Sequence, residues 1–243
     1  MSMFRQSNKV NLIIEGNIGA GKSTFLRLLA GVLDIQPVFE RHDKWQDVGG
    51  GNLLDHFYQD TRRWGYTFQT YAFVSRVVEQ EKFLAANDSQ PLVLERSVYS
   101  DRYCFAKNAY EMGLMSTLEW DLYKNWFSWL VESYTVRPTG FIYLQTEPEV
   151  CFKRMHTRGR QEEKAVGLEY LQRLHDKHEQ WLLQKQEVAA YLCDLPVLVL
   201  DCNPEFERDL VHQARLFAQV RAFYNLPERL DLLPKNERPQ LSL

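Results

Sequence analysis

The chain has 243 residues, 45% hydrophobic and 25% charged, which fits a single folded domain over 1–243 and excludes a disordered or fibrous chain. A net charge of −3 argues against a broad cationic footprint for nucleic acid, while leaving room for a local basic site that binds phosphates. No run approaches the ~18 apolar residues of a membrane span, and the four cysteines are scattered without a C-x-x-C pair, against a disulfide framework or zinc site.

Residues 1–9 read as a flexible lead, too short and polar for a signal peptide. Unpaired thiols and no targeting segment set the expectation of a cytoplasmic protein, with an organellar form that has lost its presequence left open. Residues 10–15 form the first apolar strand. They run into GNIGAGKS, which fits the phosphate-loop pattern G-x-x-x-x-G-K-S/T, and a helix is predicted over 23–33. In such a loop, glycines turn backbone N–H groups toward phosphate oxygens, and the helix N-terminus adds partial positive charge. Lys22 is then expected at the β- and γ-phosphates and Ser23 at Mg²⁺.

Residues 35–40 read as a second short strand that delivers Glu40 at its carboxyl end, where ligands gather in open α/β sheets. A glycine-rich connection covers 47–52 and a short helix 53–60. A long helix follows over 66–86, with apolar residues spaced mostly by three and four. Gln69 and Arg76 are seven apart and share a side of it. Spacing alone leaves open whether that side faces solvent or a pocket. A turn over 87–91 leads to a third strand, 92–94, ending in Glu95-Arg96-Ser97. In phosphate-loop enzymes an acidic residue there orients Mg²⁺, and an arginine can stabilise a transferring phosphoryl group. A surface ion pair is the other reading.

A helix over 101–112 closes at Gly113. The next, 118–133, carries Trp120, Trp126, Phe127 and Trp129, read as a mixture of core and subunit interface. Strand four spans 141–144. Thr146 and Glu149 read as a capping box for a helix carrying Arg154 and Arg158, followed by Arg160. Gly159 loosens the chain there, so a lid over about 154–166 that closes on phosphates competes with a plain solvated charge run. A helix over 168–189, a fifth strand over 195–200 and a helix over 205–224 complete the pattern, with a loose tail from about 226 to 243. The six histidines, His42 among them, make no ligand pattern and read as satisfied core or surface residues.

Strands alternating with helices predict an α/β fold, a five-stranded parallel sheet flanked by helices on both faces. No N-K-x-D base-reading motif occurs, which sets aside a GTPase switch. A phosphate loop with Glu40 and Glu95-Arg96 at neighbouring strand ends suits a small-molecule kinase, with Glu40 as general base.

At these residues the chain resembles the deoxynucleoside kinases, and most the deoxycytidine/deoxyguanosine kinase branch. The likeness runs from about 10 to 210 and rests on EGNI with the phosphate loop, FQTY at 68–71, ERSVYSDRY at 95–103, RGRQEE at 158–163, and the LEYL and HDKHE stretches at 168–171 and 175–179. It implies a P-loop kinase fold, with ATP as donor and Mg²⁺ as cofactor. It implies that Gly16, Asn17, Ile18, Gly19, Ala20, Gly21, Lys22, Ser23 and Thr24 hold the donor phosphates, with Arg154, Arg158 and Arg160 in the lid. By the same resemblance Glu40 deprotonates the 5′-hydroxyl, Arg96 sits at the 5′-oxygen and Glu95 accompanies Mg²⁺. Gln69 reads the base edge, and Tyr58 and Glu163 contact the 3′-hydroxyl. Trp45 and Phe105 wall the pocket, and Arg76 with Asp101 closes its far edge against a thymine methyl group. A purine deoxynucleoside or deoxycytidine is therefore expected over thymidine. The resemblance also implies a homodimer and feedback inhibition by a deoxynucleoside triphosphate, with no nucleic-acid or membrane partner. A nucleoside monophosphate kinase and a non-catalytic nucleotide-binding subunit of the same fold remain alternatives.

Overall fold

The computed structural model describes residues 10–86 and 90–227. The lead over 1–9, part of the turn at 87–89 and most of the tail, 228–243, lie outside the described residues. Five strands, β1 (Asn11–Glu15), β2 (Gln36–Val38), β3 (Leu92–Glu95), β4 (Gly140–Gln145) and β5 (Val197–Asp201), form one sheet in the order β2-β3-β1-β4-β5. Every pairing is parallel. The central strands β1, β3 and β4 are buried and mostly apolar, as a sheet covered on both faces requires, while the edge strands β2 and β5 are only partly buried.

The alternation along β1 and β4 divides the core. Leu12, Ile14, Ile142 and Leu144 face one layer, where Phe25, Leu26 and Leu29 of α1 (Lys22–Val32) pack. Ile13, Phe141 and Tyr143 face the other. There they meet Phe73 and Val77 of α4 (Thr61–Ala86) and Tyr123 and Phe127 of α7 (Thr117–Tyr134). Each such fully buried large side chain contributes about 1.5–3 kcal/mol. Between β2 and α4 lie α2 (Asp43–Gln46) and α3 (Leu53–Gln59). After β3 come α5 (Val98–Ser100), α6 (Lys107–Glu111) and then α7. The remaining helices are α8 (Pro148–Arg158), α9 (Leu168–His178), α10 (Ala190–Cys193) and α11 (Leu210–Tyr224). The chain leaves β1 toward β2 and β3 on one side, and later places β4 and β5 on the other. The loop after β1 therefore sits at the switch point of the sheet, where open α/β sheets bind ligands.

Several boundaries differ from the sequence reading. α4 begins five residues earlier than expected. The helix expected over 101–112 is composite: α5, a widened π segment over Asp101–Ala106, then α6. The long helix expected over 168–189 stops being α-helical at His178, and a π segment over Glu179–Leu183 ends it. Lys185 and Glu187 then adopt positive φ, which no helix accommodates. α11 starts at Leu210 because Asp209 caps it, accepting from the N–H groups of Val211 and His212. The Glu205 carboxylate instead accepts from three N–H groups in a tight preceding turn. The capping box at Thr146 does not form. Its hydroxyl is buried and donates to the Leu144 carbonyl, and the helix opens one residue later at Glu147, with Pro148 filling a position that needs no N–H donor.

Candidate active site

The phosphate loop is shaped by its backbone. Gly19 (φ 81°) and Gly21 (φ 94°) hold left-handed conformations, and neither has space for a side chain. A Cβ on Gly19 would collide with the Cys151 carbonyl oxygen, and one on Gly21 would fall 2.7 Å from the Phe206 ring. Asn17 braces the loop from inside, donating to the Leu171 carbonyl at 2.8 Å and accepting from the Ile18 N–H at 2.8 Å. The buried Lys22 ammonium donates to the Asn17 carbonyl at 2.7 Å. Burial, with the Arg96 charge adding, pulls this ammonium down to about 7, against the opposing effect of Glu40, Glu95 and Glu15.

Across the loop, β1, β2 and β3 deliver a charged cluster. The Ser23 hydroxyl donates to Glu95 at 2.6 Å, and the other Glu95 oxygen accepts from the Glu40 N–H at 3.3 Å. The Glu40 carboxylate meets Arg76 at 2.7 Å, His42 at 3.1 Å and Arg96 at 3.4 Å. Burial would raise the Glu40 carboxyl, but His42, Arg76 and Arg96 together hold it well below the usual range. Arg76 also forms a two-pronged pair with Asp101, at 2.8 and 3.1 Å. Burial pushes Asp101 up despite that pairing. Arg96 leaves β3 with φ 63°, a left-handed conformation unusual for a non-glycine residue, and its guanidinium lies 4.7 Å from the Phe105 ring centroid. Beside it Ser97 donates to buried Glu15 at 2.6 Å and caps α5 through the N–H groups of Tyr99 and Ser100. Burial raises Glu15 to about 7.

Loop and cluster border one cavity of about 1000 Å³. Part of its wall is aromatic: Trp45 and Phe57 pack on Phe68, with ring centroids 5.6 and 4.5 Å away. Trp45 is fixed through its indole N–H to Ser75 at 3.0 Å. Gln69, Arg76 and Asp101 supply polar groups there. Burial, with Tyr170 and Glu163 adding, pushes the Tyr58 hydroxyl well up, so it stays a donor. The 154–166 segment roofs the cavity. Glu162 accepts from Gln46 at 2.8 Å and Asn52 at 3.1 Å, which ties the roof to α2 and the start of α3. Glu163 is buried and held by Arg158 at 2.6 Å and Arg160 at 3.3 Å.

Every residue singled out from the sequence borders this cavity except Gly16, Asn17 and Ala20. Asn17 is a brace, and Ala20 packs in the core. Arg154 borders the cavity, but its guanidinium donates to the carbonyls of Cys202, Asn203 and Pro204, so it is fastened to the loop after β5 and not to the other residues of the roof. Arg76 does more than its sequence position promised, since it touches Glu40 as well as Asp101. Sequence reasoning missed His42, and its position two residues after Glu40 was the one available signal. It also missed Phe57, whose place was marked only by a buried aromatic on a short helix.

The comparisons agree with this geometry. A model of the deoxynucleoside kinase family matches residues 12–225. The chain is 42% identical over 234 residues to deoxycytidine kinase 2 of Gallus gallus, covering 86% of this chain and 88% of that one. It is 37% identical over 245 residues to the mitochondrial deoxyguanosine kinase of Xenopus laevis, covering 92% of each. Against deoxycytidine kinase of Homo sapiens it is 42% identical over 218 residues, 80% of this chain and 84% of that one. With the phosphate loop, the Glu40 cluster and the roofed aromatic pocket in one cavity, this chain belongs to the deoxynucleoside kinase family.

Proposed function

We propose that this protein transfers the γ-phosphoryl group of ATP to the 5′-hydroxyl of a deoxynucleoside in nucleotide salvage. The observation that carries the reading is the single cavity that joins the phosphate loop to an aromatic pocket across Glu40 and Arg96. The bond from the acceptor oxygen to phosphorus forms as the bond to the departing diphosphate breaks. Glu40 takes the hydroxyl proton, and Arg96 and Lys22 offset charge on the transferring group. The Ser23 hydroxyl and the Glu95 carboxylate are hard oxygen donors 2.6 Å apart, a donor set that fits Mg²⁺. When bound, Mg²⁺ neutralises phosphate charge. Gln69 reads the base edge, Trp45 and Phe105 enclose the base, and Tyr58 with Glu163 takes the 3′-hydroxyl. Arg154, Arg158 and Arg160 supply positive charge on the donor side.

The Arg76–Asp101 pair fills the far edge of the pocket, which supports purine deoxynucleosides and deoxycytidine over thymidine. Steady-state kinetics with the four deoxynucleosides, with and without each one's triphosphate, tests this. The expected result is the lowest kcat/KM for thymidine and competitive inhibition by the triphosphate of the preferred base, lodged with its phosphates in the loop. Thymidine as the best substrate would overturn the specificity. A monophosphate kinase would need free cations for the acceptor phosphate. Here Arg76 and Arg96 already face Glu40 and Asp101, which disfavours that reading.

We also propose a homodimer through α7. Leu118, Leu122, Trp126 and Trp129 fall on one stripe of that helix, with the two tryptophans 48% and 52% exposed. A second copy covers such a self-complementary apolar face. Sedimentation should give a dimer that Trp126→Glu converts to monomer, and a wild-type monomer at micromolar concentration would overturn it. The free thiols support a cytoplasmic location. Among the described residues no helix is long and apolar enough to cross a membrane.

A further inference from the structure

The roof of the cavity is fixed at both ends. Gly159 closes α8 in a left-handed conformation (φ 71°), and Val166 is buried in the core. Between them the chain makes a 3₁₀ turn over Glu162–Ala165, and its two adjacent carboxylates serve different neighbours. Glu163 is held within the roof by Arg158 and Arg160. Glu162 reaches the opposite wall, where one of its oxygens, Oε1, accepts from both the Gln46 and the Asn52 side-chain amides. Among the described residues these two are the hydrogen bonds that join the roof to α2 and α3.

The opposite wall presents those two donors together. Val48 and Gly51 exchange backbone hydrogen bonds at 2.8 and 3.1 Å, and Gly49 and Gly50 turn the chain between them with φ 60° and 88°. Two consecutive positive φ values make a tight two-residue turn that glycine adopts without strain. The connection from α2 to α3 thereby doubles back on itself, and Gln46 on one side of the turn meets the same oxygen as Asn52 on the other. Asn52 is fixed further as the cap of α3, accepting from the Asp55 N–H at 2.9 Å. Each partner also stands beside the cavity lining. Gln46 follows Trp45, Asn52 opens the helix that carries Phe57 and Tyr58, and Glu162 precedes Glu163.

Resting on the reading of Tyr58 and Glu163 as the 3′-hydroxyl contacts, we propose that Glu162 is a positioning residue that sets how firmly the acceptor is held and how strongly its 3′-hydroxyl is demanded. By fastening the roof to both sides of the α2–α3 turn, it keeps Glu163 opposite Tyr58 and the Trp45 wall drawn in. A carboxylate suits the task, because hydrogen bonds to a charged acceptor are roughly twice as strong as neutral ones. Both donors are neutral amides, so parting the joint to exchange substrate strands no cation, and half-buried Glu162 regains water. The donor side depends less on this joint. Its loop is braced from Leu171 through Asn17, and Arg154 is fastened beyond β5.

Stopped-flow release of deoxycytidine and deoxyguanosine, with kcat/KM for each against its 2′,3′-dideoxy analogue, tests the role. Glu162→Ala should raise the release rate about tenfold, from the loss of hydrogen bonds to one charged acceptor, and raise the KM for ATP far less. It should also narrow the preference for the deoxynucleoside over the analogue without a 3′-hydroxyl, because Glu163 is no longer held opposite Tyr58. Glu162→Gln keeps the accepting oxygen and should restore most of both properties. Gln46→Ala and Asn52→Ser, the serine still able to cap α3, should each act in the same direction and add little to Glu162→Ala. Wild-type release and preference in Glu162→Ala, in an enzyme that phosphorylates deoxynucleosides, would overturn the role of Glu162 alone. So would equal weakening of both substrates with the preference unchanged, the mark of general loosening. A wild-type protein that binds neither deoxynucleoside would overturn the proposed function and this role together.

Discussion

Glu40→Gln is expected to lower kcat by about 10²–10⁴ and to leave ATP binding nearly unchanged. The separation follows from the geometry. On the proposed reading the donor phosphates lie on the loop, Lys22 and Ser23, whereas the Glu40 side chain contacts Arg76, His42 and Arg96. Glutamine preserves shape and one acceptor oxygen, and Arg76 keeps its two-pronged partner Asp101. The loss therefore reports proton transfer and not collapse of the cluster. A carboxylate held so far below its usual range is a weak base. As the proposed base it suffices because proton loss comes late in a loose phosphoryl-transfer transition state, when the acceptor oxygen has become acidic by bonding to phosphorus. Burst and steady-state kinetics, with a fluorescence titration of ATP, check the prediction. Turnover within about threefold of wild type would remove Glu40 from the mechanism.

Arg76→Ala is expected to act on stability and activity together. Arg76 is the shared partner of Glu40 and Asp101, and all three side chains are less than a tenth exposed. Removing one partner from a buried ion pair costs about 3–5 kcal/mol, because the remaining charge is stranded. The sign of the pH dependence follows from Asp101. Its folded value is already raised by burial, in spite of Arg76, and climbs further once the arginine is gone. A carboxyl raised in the folded state weakens stability above its unfolded value of 3.8, most fully above its folded value. The deficit of Arg76→Ala should therefore be larger at pH 8 than at pH 5. Adding Asp101→Ala should recover part of it, and urea unfolding of the three proteins measures both effects. With the far edge of the pocket opened, kcat/KM for thymidine should rise relative to the other deoxynucleosides. A pH-independent deficit with no rescue would mean that the two residues do not act as a pair.

The fold was legible where the physics is local. Apolar runs of three to six residues, four of the five ended by glycine or charge, located all five strands, and the loop motif located the switch point of the sheet. Glu40, Glu95 and Arg96 were found by the rule that strand ends carry chemistry. What stayed hidden depends on partners distant in sequence. The widened turn at Asp101–Ala106 and the early end of α9 are set by packing against other elements, not by propensity. Thr146 looked like a cap, but its hydroxyl was taken by the strand before it. The bonds from Glu162 to Gln46 and Asn52 span more than a hundred residues and leave no periodic trace. His42 had the signature of an ordinary loop residue, and only the fold sets its ring on Glu40.

Arg96 bears on any attempt to engineer this enzyme for heat resistance. Its left-handed backbone is a conformation that glycine adopts freely and that costs other residues about 1–3 kcal/mol. The strain is held by the Arg96 N–H bond to Ile14 at 2.9 Å and by Ser97 locked onto Glu15. Glycine or asparagine here would relieve that strain, but it would also strip buried Glu40 of one of its cationic partners, a loss of about 3–5 kcal/mol for a buried pair that outweighs the relief. A stabilisation campaign has to leave position 96 fixed and look for its gains elsewhere.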